Sequence, residues 1–146
     1  MSLIKAGQAE MVGNKFVSIL KSRGTMKVLN AAVTSGGNYD CFEDSSTDVD
    51  YQVPVGKKLI VLGYHCSSTS ATPGDVALCW GDNAVANTST PPTNVRNNNR
   101  SFQLTPRSAV SYLNDVYVEV PAEKYPHVFS DNASATIILI GIEVDA

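Results

Sequence analysis

The clearest alternation in the chain runs from Val116 to Val120, where valines at 116, 118 and 120 interleave with Tyr117 and Glu119. A period of two with one apolar face is the pattern of a half-buried strand, and Pro121 stops it because proline has no N–H for a ladder. Lys57 to Ser68, "KKLIVLGYHCSS", predicts a longer strand rich in β-branched and aromatic residues, entered through Val53-Pro54-Val55-Gly56. Asp75 to Gly81, "DVALCWG", is bounded by Pro73-Gly74 and by Gly81-Asp82-Asn83. If residues 57 to 82 form a hairpin about Ala71-Thr72-Pro73-Gly74, Cys66 and Cys79 lie near each other across it. His127-Val128-Phe129 restarts a short strand after Pro126. The nearly unbroken apolar run from Ser134 to Asp145 predicts a central strand covered on both faces.

The first fifty residues are less regular. "KFVSIL" and "MKVLNAAV" fit two strands around Ser22-Arg23-Gly24-Thr25, and a helix over Gln8 to Lys21 is the alternative. Strands are preferred because Gly7, Gly13 and Asn14 are poor helix interiors. These residues are either extra strands or an N-terminal arm. Two polar stretches remain as loops: acidic Ser35 to Asp50, and Asn83 to Ser101 with Pro91-Pro92 and "RNNNR". Many short strands with turn signals and no repeat of fixed period predict an all-β fold. The expected fold is one antiparallel β-sandwich domain over residues 1–146, jelly-roll-like.

Composition sharpens this picture. At 146 residues the chain can bury a sizeable core without staples, and its 17% charged residues fall below the usual quarter. Asn, Ser, Thr and Gly replace the missing charge, as suits strands and loops. A net charge of −3 speaks against phosphate-neutralising nucleic-acid binding. The longest purely apolar run, Ile137 to Ile140, is far shorter than a membrane-spanning helix, and no secretory h-region is visible. Three cysteines, Cys41, Cys66 and Cys79, form no closed disulfide framework and no C-x-x-C pair. The expectation is a reducing, cytoplasmic or virion setting. The sequons at Asn87, Asn99 and Asn132 then read as chance in an Asn-rich chain.

The chemistry is sparse. His65 and Cys66 are adjacent in a strand and so point to opposite faces. Zinc would need Cys79 together with His127 or Cys41, and a buried thiol beside a half-buried histidine is the preferred reading. There is no G-x-S-x-G elbow and no phosphate loop, so the expectation is no catalytic residue, no metal and no cofactor. "DCFEDSSTDVD" lacks the glycine and terminal glutamate of a calcium loop, which favours a solvated acidic loop. Arg96, Arg100 and Arg107 could instead meet Asp44 and Asp48 across a subunit interface, where charge complementarity fixes register. Trp80, Asp82 and Asn83 at a strand end are the alternative site, where an indole could stack on a sugar; parity with Val76 and Leu78 favours the core for Trp80.

"VPVGKKLIVLG", "DVALCWGDNA", "VYVEVPAEKYPHVFSDN" and the closing "ATIILIGIEV" together resemble the β-sandwich domains of phage virion accessory proteins, the tail, fibre and head-decorating modules. The likeness spans about Tyr51 to Val144 and rests on turn chemistry that recurs in unrelated β proteins. It implies a structural or receptor-facing subunit, commonly trimeric, with no catalytic residue to carry over. The sequence thus points to a non-enzymatic structural or binding module that self-associates, trimer favoured, with other virion proteins or a surface glycan as partners. A carbohydrate-binding module is the runner-up, and a small metal-dependent, cupin-like enzyme is third.

Overall fold

Burial alternates along β1 (Thr25–Val33), where Leu29, Ala31 and Val33 are buried while Met26, Val28 and Ala32 are exposed. One face of this strand therefore belongs to a core. The computed structural model describes residues 23–71, 74–104, 109–131 and 134–146, with 97–104 and 109–117 described in the backbone alone. Nine more strands follow: β2 (Asn38–Cys41), β3 (Glu43–Asp44), β4 (Val49–Asp50), β5 (Lys57–Ser68), β6 (Gly74–Gly81), β7 (Arg96–Leu104), β8 (Ala109–Val120), β9 (Tyr125–Ser130) and β10 (Ala135–Asp145).

The strands make two antiparallel sheets, ordered β4-β3-β1-β10-β5-β8 and β2-β9-β6-β7. The pairings are nested: β1 with β10, β2 with β9, β5 with β8, β6 with β7. Rolling up such a nested hairpin gives a jelly roll, as the sequence predicts, with the short β3–β4 hairpin added at one edge. The sheets stack so that β1 lies against β2 and β9, while β5 and β8 lie against β7.

The core fills the space between them. Leu29, Leu59, Ile137 and Leu139 enter from the first sheet, Val76, Leu78 and Val128 from the second, and Phe42 and Val53 from the connections. Burying each large aliphatic side chain contributes about 1.5–3 kcal/mol. β5 changes its inward face midway. Leu59 and Val61 point inward before Leu62; Tyr64 and Cys66 point inward after it. Leu62 is the extra residue opposite the Ile140–Gly141 step of β10, a bulge that reverses the alternation.

Several sequence expectations are corrected. β5 and β6 are not a hairpin: β5 pairs with β10 and β8 in one sheet, β6 with β7 and β9 in the other. Consecutive strands of a jelly roll cross between sheets, so a short connection there is not a turn between partners. The acidic stretch contains β2, β3 and β4, and the Asn-rich stretch becomes β7 from Arg96 onward. The strand ending at Val120 begins earlier, at Ala109. β10 is central, as expected, but its outward face is only partly covered: Ile142 is buried whereas Ile138 is 40% exposed. "MKVLNAAV" lies within β1, and "KFVSIL" lies outside the described residues.

A polar clip closes one end. Asp40 accepts hydrogen bonds from the Ala32 amide (3.0 Å) and the Asn87 amide (3.1 Å), joining β2 to β1. Asn87 donates from Nδ2 to Ala32 O (2.7 Å) and accepts from the Thr34 amide (2.7 Å). The amide of this sequon is thereby engaged within the fold.

Candidate functional site

Trp80, the penultimate residue of β6, shares a face with Val76 and Leu78 and packs half-buried against the core. Its cross-strand neighbours are Pro126 on β9 and Arg96 on β7. Directly opposed residues hold their Cβ atoms about 4.5–5.5 Å apart, so the exposed Arg96 side chain rises beside the indole.

The next residue shapes the rim. A Cβ on Gly81 would lie 2.5 Å from Pro92 Cβ, so only glycine lets residues 91–95 fold back onto the strand end. The Asp82 amide donates to Thr93 O (2.9 Å), and the Thr93 amide donates to Asn83 Oδ1 (2.7 Å). Asn94 takes the left-handed conformation, φ 52°, and its Nδ2 donates to Asp82 Oδ2 at 2.6 Å. Lys124, from the turn between β8 and β9, donates its Nζ to Asp82 Oδ1. The Lys124 ammonium, and then the Asn94 amide, hold the Asp82 carboxyl below the usual carboxylate range.

These groups enclose an open cleft of about 580 Å³ lined by Trp80, Asp82, Asn94, Arg96, Pro121 and Lys124. That volume falls within the range of small-ligand sites. Of the sequence candidates, Trp80 and Asp82 face the cleft, while Asn83 spends its oxygen on the loop. Arg96 was singled out for a different role and stands at the cleft instead. Nothing in the sequence marks Asn94, Pro121 or Lys124 as site residues, because they reach the cleft only through the fold.

The other proposed interface residues lie outside the cleft lining. Arg96 and Arg100 fall on β7, at one edge of the second sheet; Arg107 is outside the described residues. Asp44 on β3 and Asp48 just before β4 stand at the opposite edge of the sandwich. Asp44 is pulled down to about 2, first by the Ser46 hydroxyl and amide and then by Lys27, whose Nζ lies 3.0 Å from Oδ2. Its oxygens thus hold the turn together.

The histidines and thiols separate cleanly. His65 is exposed on the outward face, whereas Cys66 is fully buried on the inward one, and burial pushes its thiol up to about 12. Cys66 and Cys79 belong to different sheets. Cys41, His127 and Cys79 do form one buried row across β2, β9 and β6. Yet Nε2 of His127 accepts from the Val85 amide at 3.2 Å, which leaves Nδ1 as the protonated nitrogen, donating to Tyr125 O at 2.8 Å. Neither nitrogen has a lone pair to spare. Burial pushes the Cys79 thiol to about 12 and raises Cys41 further, so neither resembles a nucleophilic thiolate. Among the described residues no group of three His, Cys, Asp or Glu side chains could hold a metal ion.

No family model matches the chain, and no curated protein resembles it significantly. Among the described residues no helix is long and apolar enough to cross a membrane.

Proposed function

We propose that this chain is a non-enzymatic binding module that takes up a saccharide in the Trp80 cleft. The observation that carries the reading is the half-buried indole sharing an open cleft with an amide, a carboxylate and two cationic side chains. An indole offers a flat apolar face to a pyranose ring, while Asp82 and Asn94 exchange hydrogen bonds with its hydroxyls. The absence of catalysis draws on the raised thiols and on the fully engaged His127. Trp80 is the sole tryptophan, so its fluorescence reports the site without labels. A shift of its emission on a glycan panel supports the reading; an emission unmoved by every glycan refutes it.

A second reading is self-association as a phage virion-type structural component, a trimer or another closed ring. Two observations favour it. Met26, Val28 and Ile138 leave an aliphatic patch on the outward face of the first sheet, each at least 40% exposed. Basic β7 and the acidic β3–β4 hairpin also stand at opposite edges, an arrangement suited to head-to-tail contact between copies. Light scattering across a salt series tests it: a ring that falls apart as salt rises supports it, and a strict monomer refutes it.

A further inference from the structure

We infer that the ligand of the Trp80 cleft is a carboxylated saccharide, a chain containing uronate units, whose carboxylate is bound by Arg96. This rests on the saccharide reading above and narrows it. The argument is one of charge. Among the described residues the cleft holds two cationic side chains, Arg96 and Lys124, against one carboxylate, Asp82. Lys124 is committed to Asp82, whose other oxygen is taken by Asn94. Arg96 forms no ion pair with a described residue, yet it stands exposed on the strand next to the indole. One positive charge is therefore left over in the cleft.

The geometry places that charge where a sugar acid needs it. A pyranose lying on the indole carries the carboxylate of a uronate at its C5 edge, in the ring plane. Trp80 and Arg96 are a directly opposed cross-strand pair, so a guanidinium beside the indole meets that edge. Guanidinium donors bind carboxylates through two parallel hydrogen bonds, a match that an ammonium cannot reproduce. The Asp82–Lys124 pair meanwhile presents a fixed dipole to the hydroxyls on the other side.

The test uses the intact protein and oligomers of galacturonate, glucuronate and mannuronate, each beside its methyl ester. The ester keeps ring, linkage and stacking face but removes the charge. Titrations read Trp80 emission and heat of binding at low and high salt. At least one acid should bind about tenfold more tightly than its ester, with the difference shrinking as salt rises. Arg96→Gln should remove the preference, and Arg96→Lys should keep only part of it; the urea midpoint of each variant establishes that it is folded. An acid and ester of equal affinity would overturn the inference and leave the saccharide reading standing. Binding of neither, together with silence across the wider neutral panel, would bring down both.

Discussion

His127 makes the stability of this protein depend on pH in a predictable way. The imidazole is wholly buried and neutral, with Nε2 accepting from Val85 and Nδ1 donating to Tyr125. Protonating Nε2 would set two donors against each other and bury a charge, so desolvation lowers its folded pKa below 6.5. A histidine with a depressed folded pKa leaves the unfolded chain holding more protons. Stability is therefore complete above about pH 6.5 and falls as pH drops toward the folded value. The slope is at most about 1.4 kcal/mol per pH unit, and it persists only from about pH 6.5 down to the lowered folded value, below which the loss is complete. Asp44, Asp82 and Asp145 are all held below the usual range, so their contribution is lost only at lower pH still. Asp40, raised by burial, pulls the opposite way as it gains a proton. Urea unfolding followed by Trp80 fluorescence at pH 7.5, 6.5, 5.5 and 5.0 measures the slope. His127→Gln keeps an acceptor for the Val85 amide, costs about 1–3 kcal/mol for the lost Tyr125 bond, and flattens the profile in this window. A wild-type profile that is already flat, or a variant with the same slope, would refute the reasoning.

Three other outcomes follow from the packing. Leu139→Ala opens a cavity at the centre of the first sheet and should cost about 2–5 kcal/mol by urea denaturation. Gly81→Ala drives a methyl into Pro92; it should cost about 1–3 kcal/mol and weaken every ligand of the cleft by displacing the loop that carries Asn94. Cys41, Cys66 and Cys79 are buried with raised pKa values, so a disulfide reagent at pH 8 should modify them only as fast as the chain opens. Rates that rise with urea check this, and immediate reaction of any one thiol would contradict it.

Much of the fold was legible because its strands carry local signals. Lys57 to Ser68 is bounded as its turn residues and its apolar run require, and β10 is the long central strand that its composition demands. Partners were not legible. A five-residue link from one strand to the next looks like a hairpin whether the chain turns back or crosses to the facing sheet. Nor did β2, β3 and β4 announce themselves, since short polar edge strands of Asn, Asp and Glu resemble loops. Trp80 and Asp82 were visible as candidates because they are local to one strand end. Lys124 stands 42 positions from Asp82, and no spacing rule relates them.

The nested pairing has a bearing on synthesis. β10, the last of the described strands in chain order, sits between β1 and β5, so the larger sheet stays split in two until residues 135–145 arrive. Contacts this distant along the chain make for slow acquisition of structure, on the millisecond-to-second scale. Until then β1 and β5 offer bare ladder edges to any passing strand, and a chain cut short before residue 135 yields two aggregation-prone half-sheets rather than a smaller version of the sandwich.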